Sequence, residues 1–447
     1  MNNNEYETII YEPTKKIESV SNLEHIQNMS LEEYNEHIRK KLDDEIRYAF
    51  LNSEFYKNFY YDNGIAYDNF DRNIEKLPFV TKEHLRDLYP FGLLTGEISN
   101  IARYGESTGT TGNPTSAYFA RDDWFENNIF VADRVRKIFS KNDIAIIAAP
   151  YELSIPAQDY ERIFEIIGTM VIPCGVLNEV CSWEKIIELI IKMKPTALIC
   201  SGTRLFLLGE VAQKMGYNPK EFAIKKILNV GDTIHDSKEE KIKKMWGAKV
   251  YNAYGMTETC ALGISCENNQ IHLFTERYFY EVVDPETLQN VQEGEKGELV
   301  ITSLGNRSMP LIRYRTGDLV SVSNDTCSCG CRRPYLKHYG RVDSFVEIGK
   351  SKLSFFEIEE KIMSCQAQNI LFQVVYEKDY LELVLDLKDG HSKSELYNEV
   401  KERFGKENIQ YIHVNIFGLE QREHYFNYLK NSIKPFSKIF KKKGEQQ

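Results

Sequence analysis

Five short, continuously apolar runs, separated by segments of helical length, dominate the middle of the chain. The runs lie at residues 143–150, 168–173, 196–200, 226–231 and 249–255. The segments with helical character lie at residues 121–139, 160–167, 183–193, 204–215 and 237–246. Short apolar runs are typical of strands that are buried on both faces. Their alternation with helices predicts a parallel sheet covered by helices.

Ligands of such sheets bind beyond the carboxyl ends of the strands, so the residues just after each run are candidates for a site. These residues are Tyr151, Ser201, Gly231, Asp232 and the segment 254–258. We expect them to line one crevice.

The loop at residues 107–115, which precedes the sheet, is rich in glycine and hydroxyl groups. Its members are Ser107, Thr108, Gly109, Thr110, Thr111, Gly112, Asn113, Pro114 and Thr115. Small residues let the backbone approach a ligand, and amide and hydroxyl donors together suit an anion such as a polyphosphate. A surface turn of the same composition is the alternative. No Gly-Lys-Ser/Thr follows, so the loop is not a Walker A motif.

Two further segments carry side chains that suit a nucleotide. In residues 252–259, Tyr254 can stack on a base, Thr257 can reach a phosphate and Glu258 can hold Mg²⁺. In residues 311–319, Asp318 can accept ribose hydroxyls, and Arg315 can pair with Asp318 or with a phosphate. Taken alone, the first segment also fits a turn and the second a charged hairpin.

Length and charge narrow the class of protein. A chain of 447 residues is too long for one ordinary core, so we expect two or more domains. A net charge of −10 argues against nucleic acid as a partner. The sequence has neither a secretory signal nor an apolar stretch of membrane-spanning length, which predicts a cytoplasmic protein without a membrane partner.

The parts that flank the sheet differ in character. Residues 1–100 are predicted to be mostly helical, with a capping box formed by Ser30 and Glu33 at the start of a helix over about 31–52. A second helix is predicted to begin after Thr81. Residues 277–283 and 297–302 predict strands of a smaller, more antiparallel sheet. From about residue 344 a small α+β domain is predicted.

Taken together, the motifs resemble those of the adenylate-forming superfamily, which includes acyl-CoA synthetases, adenylation domains and luciferases. The segments 107–115, 254–258, 313–318 and 340–343 occur in the order of that superfamily, and the segment 312–316 is similar to its phenylacetate–CoA ligase-like branch. The resemblance covers about residues 70–445. It implies an α/β fold with a large N-terminal domain (residues 1–340) of mostly parallel, helix-flanked sheets and a smaller antiparallel sheet. A small, mobile α+β C-terminal domain (residues 341–447) would follow, with a hinge near Asp343.

The resemblance also implies a two-step reaction. A carboxylate, expected to be aromatic, attacks the α-phosphate of ATP to give an acyl adenylate, and a thiol of CoA or of a carrier protein's phosphopantetheine then takes the acyl group. By motif position, residues 107–112 would hold the β and γ phosphates, and Gly231 and Asp232 would flank adenine. Tyr254, followed by Gly255, would stack on the adenine.

The remaining roles follow in the same way. Thr257 would reach the α-phosphate, Glu258 would bind Mg²⁺, Asp318 would bind ribose and Arg341 would lie beside the nucleotide. A catalytic lysine near the C-terminus is expected by resemblance. Lys438 is the best match and Lys434 its rival, although Ser437 and Lys441 depart from the family pattern. A basic tail that only decorates the surface is the alternative.

The cysteines predict a metal site. Cys327, Cys329 and Cys331 lie within five residues, and Cys266 precedes His272 by six residues. Thiols this dense in a reducing compartment favour metal over disulfides. By resemblance, Cys266, His272, Cys327 and Cys329 would hold a structural zinc, with Cys331 as an alternative to Cys329. Unligated thiols on a loop are the competing interpretation.

The acyl pocket is the least predictable part of the site. Tyr151, Ser201 and Ala253 are expected to line it. The segment 151–160 is more polar than is usual in members of the branch that take arylacetates, since it includes Glu152, Gln158 and Asp159. These side chains could contact a phenolic or amino substituent or could face solvent. The sequence leaves open the carboxylate, the choice between CoA and an acyl carrier protein, and the oligomeric state, for which a homodimer is one option. A non-catalytic nucleotide-binding relative is a further alternative.

Overall fold

The computed structural model describes residues 29–67, 73–107, 113–176, 178–405, 411–432 and 435–444. The helices are α1 (Leu31–Asn52), α2 (Glu54–Asp62), α3 (Lys82–Asp87), α4 (Arg121–Val135), α5 (Ile155–Ile166), α6 (Trp183–Met193), α7 (Gly202–Lys214), α8 (Asp236–Trp246), α9 (Phe355–Met363), α10 (Lys393–Arg403) and α11 (Leu419–Lys430). Within these residues, no helix has the length and apolar character that crossing a membrane requires.

The strands up to the end of the large sheet are β1 (Ile101–Glu106), β2 (Ser116–Ala120), β3 (Ile144–Ala148), β4 (Met170–Pro173), β5 (Ala197–Cys200), β6 (Lys226–Asn229), β7 (Lys249–Met256), β8 (Cys260–Ser265), β9 (Ile271–Leu273), β10 (Tyr278–Val283), β11 (Gly297–Ser303), β12 (Tyr314–Ser323) and β13 (Tyr335–Arg341). The strands that follow are β14 (Phe345–Ile348), β15 (Ser351–Ser354), β16 (Gln368–Glu377), β17 (Tyr380–Leu387), β18 (Ile412–Ile416) and β19 (Phe440–Lys442).

An 11-stranded sheet forms the centre of the molecule, in the order β10-β11-β12-β13-β9-β8-β7-β6-β5-β3-β4. The five predicted parallel strands are confirmed as β3 to β7. The antiparallel strands predicted as a separate sheet continue this one. The reason lies in β7, whose first half pairs with β6 in parallel and whose second half pairs with β8 in antiparallel fashion. The α/β fold class is confirmed.

The parallel strands are buried on both faces, as their apolar runs predict. Ile146 and Leu198 contribute to one core, and Ile147 and Ile199 contribute to the other. Because neighbouring residues of a strand point to opposite faces, a continuously apolar strand fills both cores at once.

The helices agree with the prediction in number and order through this region, but α4 ends at Val135 rather than at residue 139, and α5 differs at its start. The sequence predicts a helix over 160–167, whereas α5 begins at Ile155. Pro156 lies in its first turn, where a missing backbone N–H costs nothing because that donor has no partner within the helix. Five further residues, including Asp159, are therefore helical.

The N-terminal helix α1 packs against the antiparallel half of the sheet. Its predicted capping box is confirmed, because Glu33 N donates to Ser30 Oγ and Ser30 N donates to Glu33 Oε2 at 2.8 Å. The predicted helix start after Thr81 is confirmed as α3.

The C-terminal part contains the hairpin β14–β15 and a four-stranded sheet in the order β18-β17-β16-β19, with α9 to α11. Its apolar side chains form one continuous core with those of α6 to α8. Arg422 on α11 also binds Glu210 on α7 through two hydrogen bonds of 2.8 and 3.0 Å. The domain boundary at residues 340 and 341 stays a prediction.

Candidate active site

The two ends of the glycine and threonine loop are tied together. Ser107 N donates to Thr115 O at 2.9 Å, and Thr115 N donates to Ser107 Oγ at 2.9 Å. The strands β1 and β2 continue outward from these residues as an antiparallel pair. Residues 108–112, which include most of the predicted phosphate contacts, lie outside the described residues. The loop therefore begins and ends at a pair of residues joined by two hydrogen bonds.

Thr115 connects this loop to the strand exit that carries Glu258. The Thr115 hydroxyl is buried and donates to Glu258 Oε1 at 2.8 Å. Tyr314 OH donates to the same oxygen at 3.3 Å, and Lys82 Nζ lies 3.8 Å from it. Glu258 is only 3% exposed, so a carboxylate with few water contacts is held at a fixed point beside the loop. Thr257, its predicted neighbour in the site, is half-buried on the same turn.

Asp318 lies at the centre of a second polar cluster. Tyr254 OH donates to Asp318 Oδ2 at 2.8 Å, and Arg341 Nη1 donates to Asp318 Oδ1 at 3.1 Å. His338 Nε2 lies 3.6 Å from Oδ1, and its ring centroid is 5.4 Å from that of Tyr254. Burial would raise the pKa of Asp318, but His338 and Arg341 outweigh burial and hold that pKa below its usual value. The carboxylate is therefore ionised near neutral pH.

The turn before Asp318 requires a glycine. Gly317 has φ of +74°, and a Cβ at this position would lie 2.5 Å from Arg341 Nη2. Arg341 Nη1 also donates to Thr316 O at 2.9 Å. The bare backbone of Gly317 thus lets the guanidinium lie across the turn and reach Asp318. The sequence also suggested that Arg315 could pair with Asp318. This pairing is wrong, because Arg315 Nη2 lies 2.5 Å from Glu298 Oε2 instead.

Asp232 follows β6 and is held by a different set of groups. Thr203 donates to Asp232 Oδ2 through both its backbone N and its hydroxyl, each at 2.9 Å. Lys238 Nζ lies 3.2 Å from the same oxygen. Gly231, with φ of +74°, makes the turn that precedes it. The side chain of Asp232 therefore points into α7 and α8, and the backbone of residues 231 and 232 remains at the strand exit.

A cavity with about 420 Å³ of empty space, counting the part open to solvent, lies beside Tyr254. It is lined by Asn127, Val131, Pro156, Asp159, Tyr160, Ile163, Val230, Gly231, Ala253, Tyr254, Gly255, Cys260 and Ala261. Ala253 is thus on the lining, as predicted, whereas Tyr151 and Ser201 are not among these residues. Gly231, Tyr254 and Gly255 belong to both the cavity and the predicted nucleotide site, so the two adjoin.

The predicted metal ligands come together in the structure. The ligand atoms of Cys266, His272, Cys327 and Cys329 all lie within 4.8 Å of one another. The Sγ atoms of Cys266 and Cys327 are 3.8 Å apart, and Cys329 Sγ is 3.3 Å from His272 Nε2. Tetrahedral zinc with Zn–S near 2.3 Å and Zn–N near 2.0–2.1 Å places its ligand atoms about 3.5–3.8 Å apart. The other ring nitrogen, His272 Nδ1, lies 3.1 Å from Arg333 O, which suits a ligand whose orientation is fixed from behind.

The C-terminal candidates are at the surface. Lys438 is exposed at the end of the short turn Phe436–Lys438, and Lys434 lies outside the described residues. Asp343, the predicted hinge, is exposed between β13 and β14, and its Oδ1 lies 3.8 Å from Arg341 Nε. The structure therefore leaves the choice of catalytic lysine as a prediction.

Several side chains of the site carry no sequence signal of their own. Lys82 lies outside the motifs described above, and His338 lies in a strand that has no distinctive pattern. Asn127 is one of two adjacent asparagines on α4. Tyr314 is different, since it lies inside the segment 312–316 and could have been chosen on that basis. Thr115 is one of five hydroxyl residues in the loop at 107–115, and nothing in the sequence distinguishes it from the others.

The structure thus brings Glu258 and a Tyr254–Asp318–Arg341 cluster to the strand exits beside the loop at 107–115, as the resemblance to adenylate-forming enzymes implies. Comparison with known proteins agrees. The family model described as AMP-binding enzyme matches residues 107–308. The phenylacetate-coenzyme A ligase of Thermus thermophilus is 27% identical over 373 residues, which cover 81% of this chain and 80% of that protein. The enzyme of the same name from Aromatoleum evansii is 27% identical over 383 residues, or 84% and 83% of the two chains.

A solved structure shows the same fold. A crystal structure of 2-hydroxyisobutyryl-CoA ligase in the postadenylation state superimposes with a TM-score of 0.78 at 22% identity and covers 87% of each chain. These similarities confirm the prediction from the sequence, which is the adenylate-forming superfamily in its phenylacetate–CoA ligase-like branch.

Proposed function

We propose that this protein is an acid–thiol ligase that activates a carboxylic acid with ATP and transfers the acyl group from the adenylate to the thiol of coenzyme A. The observation that carries this proposal is the 2.8 Å hydrogen bond from Thr115 to Glu258, which joins the phosphate-type loop to the strand exit. Relatives named as phenylacetate-coenzyme A ligases along four-fifths of the chain support both the type of reaction and the acceptor.

The residues would act mainly by positioning and charge. The attacking carboxylate and the triphosphate are both anionic, so their approach requires neutralisation and alignment rather than covalent chemistry from the protein. The loop at 107–112 would bind the β and γ phosphates, Asp318 with Arg341 would hold the ribose, and Tyr254 would lie against the base. Thr257 would contact the α-phosphate.

The site fits a magnesium ion. Glu258 is a buried carboxylate, and Mg²⁺ is commonly held by one or two carboxylates together with substrate phosphates. Magnesium bound there supplies positive charge to the phosphates. Lys82, 3.8 Å from Glu258, adds a second positive charge at the same point.

The cluster of Cys266, His272, Cys327 and Cys329 would hold a structural zinc. All four positions would be filled by protein atoms, which leaves no place for substrate. His272 is in β9, and Cys327 and Cys329 precede β13, the strand that carries His338 and Arg341. A zinc ion would therefore fix the register of β13 against β9 and, through it, the groups around Asp318.

The test is carboxylate-dependent exchange of pyrophosphate into ATP over a panel of aromatic, hydroxyaromatic and amino acids. We expect exchange with at least one acid, and thioester formation when CoA is added. No exchange across the panel would contradict the proposal. A phosphopantetheinylated carrier protein, supplied in place of CoA, tests the alternative acceptor, since thioester on the carrier alone would exclude CoA.

The catalytic lysine is tested in the same assay. Lys438→Ala should lower exchange by at least 100-fold if Lys438 neutralises charge in the transition state, as loss of one such contact commonly does. Lys442→Ala, an exposed lysine four residues further on, is the matched control and should leave exchange unchanged. Equal activity of the two variants would transfer the role to Lys434.

A further inference from the structure

The lining of the cavity beside Tyr254 includes polar residues that binding of an apolar acid would not require. The apolar part of this lining comes from residues such as Val131, Ile163 and Val230, whereas Asn127, Asp159 and Tyr160 are lining residues with polar side-chain groups. Each of these three side chains is buried, with exposed fractions of 3%, 4% and 3%. Buried polar groups are costly unless they are hydrogen-bonded, so their presence here calls for partners.

Two of these residues have polar atoms without a partner in the described part of the chain. Asn127 lacks one for both Nδ2 and Oδ1, and the Tyr160 hydroxyl also lacks one. An amide with both atoms free can donate and accept at the same point. These atoms belong to residues that line the cavity, so a bound ligand can supply the hydrogen-bond partners that the described residues do not.

Asp159 differs because it is anchored from behind. Trp124 Nε1 donates to Asp159 Oδ1 at 2.8 Å, and Asn128 Nδ2 lies 3.5 Å from the same oxygen. No cationic nitrogen of the described residues forms an ion pair with this carboxyl group. The charge of Arg103 lowers the pKa of Asp159, but less than the other groups around it do. Burial raises the pKa of Asp159, which is the expected response of a carboxyl group that lacks a counter-charge.

The backbone supports a functional role for this wall. Cys260, which also lines the cavity and hydrogen-bonds to Asp159, has a positive φ of 61° although it is not glycine. Such a conformation is strained and is retained where the surrounding structure demands it. It follows directly on Glu258 and Thr259, so the same turn that presents Glu258 also sets the floor of the cavity.

A second cavity, of about 260 Å³, is a poorer candidate for the acyl group. It is lined by Ala148, Cys200 and Arg204, among others, and lies on the opposite face of the sheet, within the core that includes α6 and α7. None of its lining residues belongs to the strand exit at 254–258. The cavity beside Tyr254 is therefore the one in which an acid can reach the nucleotide.

We propose that the acid activated by this enzyme carries a hydroxyl or an amino group. The carboxylate of Asp159 accepts a hydrogen bond from this group, and Asn127 helps to orient it. The proposal rests on the acid-activating function proposed above and specifies the class of its substrate. An unsubstituted acid of the same size would displace water from these polar groups without replacing its hydrogen bonds, which lowers affinity. Sites that hydrogen-bond a polar group of the substrate reject the analogue that lacks this group by about 10⁴-fold or more.

The experiment compares matched acids with the wild-type protein by pyrophosphate exchange. The set contains phenylacetate, its ring-hydroxylated, ring-amino and aminomethyl derivatives at each ring position, and the α-hydroxy and α-amino acids of the same skeleton. We expect at least one donor-bearing acid to exceed its unsubstituted parent by 100-fold or more in kcat/KM. Equal or better exchange with the unsubstituted parent would overturn the inference, whereas no exchange with any acid would refute the proposed function itself.

Substitution of Asp159 distinguishes recognition from a merely structural role. Asp159→Asn retains an oxygen for Trp124, so its internal hydrogen bond survives. We expect kcat/KM for the preferred acid to fall by about 100-fold for a protonated amine and about 10-fold for a hydroxyl, mostly through KM, while the unsubstituted parent is unchanged or improved. Glu165→Gln, the same change on the exposed side of α5, is the control and should alter nothing.

An equal loss with every acid would show that Asp159 acts through folding and would overturn the inference. If Asp159→Asn does not fold, Asn127→Ser in the same assay and the acid set with the wild-type protein decide the question. Both rest on the same cavity and make the same prediction about donor-bearing acids.

Discussion

Glu359 is expected to hold the C-terminal part of the molecule onto the nucleotide site. Its Oε1 lies 3.0 Å from Lys238 Nζ, which is also 3.2 Å from Asp232. His235 Nε2 lies 3.5 Å from the other oxygen of Glu359. Lys238 is on α8, and Asp232 and His235 lie in the segment between β6 and α8, whereas Glu359 is on α9 of the C-terminal part. Glu359→Gln should therefore weaken the contact between the two parts.

The magnitude follows from burial. The Lys238 and Glu359 side chains are 1% and 2% exposed, and removal of one partner from a buried ion pair costs about 3–5 kcal/mol. Asp232 still compensates Lys238 in the variant, so we expect about 3 kcal/mol, or roughly a 100-fold smaller equilibrium constant for docking. Arg422 and Glu210 remain as a second ionic contact between the parts, so docking is weakened rather than abolished.

The same pair predicts a dependence on pH. Burial alone would raise the pKa of Glu359, but Lys238 and His235 outweigh it and hold the pKa below its usual value. A depressed carboxyl pKa contributes stability that is present above the unfolded-state pKa and is lost as pH falls through the folded-state pKa. The wild-type protein in acid should therefore behave as Glu359→Gln does at neutral pH.

Hydrogen exchange of the backbone amides in α8 and α9 measures the docking. We expect these amides to lose protection in Glu359→Gln at neutral pH, and the wild-type protein to lose it as acid is added. Glu360→Gln, the adjacent and more exposed carboxylate on the same helix, is the control and should retain protection. Equal protection in both variants would refute the role assigned to the buried cluster.

Three further substitutions test the site. Thr115→Val removes the donor to buried Glu258 and should lower kcat/KM for ATP in pyrophosphate exchange by at least 10-fold, since a hydrogen bond to a charged group contributes about 1.5–3 kcal/mol; an unchanged value would separate the loop from Glu258. Gly317→Ala places a Cβ 2.5 Å from Arg341 Nη2 and should weaken binding of ATP by calorimetry; unchanged binding would remove Arg341 from the nucleotide site. Cys327→Ser should abolish stoichiometric zinc in elemental analysis and lower the melting temperature, whereas a wild-type protein without zinc would contradict the metal site.

Local pattern predicted the repeating part of the fold well. The helix Trp183–Met193 has the predicted limits, and the capping box at Ser30 lies where the sequence places it. Both depend on residues a few positions apart, so the sequence contains the whole interaction. The predicted start of α5 is five residues too late, and the first turn of the helix contains Pro156, a position that tolerates proline.

The continuity of the sheet was not predictable from local pattern. The strands on either side of Cys260 differ in character, which suggested two sheets. Only the length of β7 in three dimensions, with one half paired to β6 and the other to β8, joins them. Strand pairing depends on residues far apart in the chain, and no short segment encodes it.

The sequence by itself determined the family, the order of the nucleotide motifs and the residue types that could bind phosphate, ribose and metal. The tertiary structure decided which of these residues meet, because charges and hydrogen bonds act over a few ångströms in space and not along the chain. It assigned Arg341 rather than Arg315 to Asp318, and Thr115 to Glu258 across 143 positions. It also placed Asp159, one of several polar residues in its segment, in the wall of the cavity beside Tyr254.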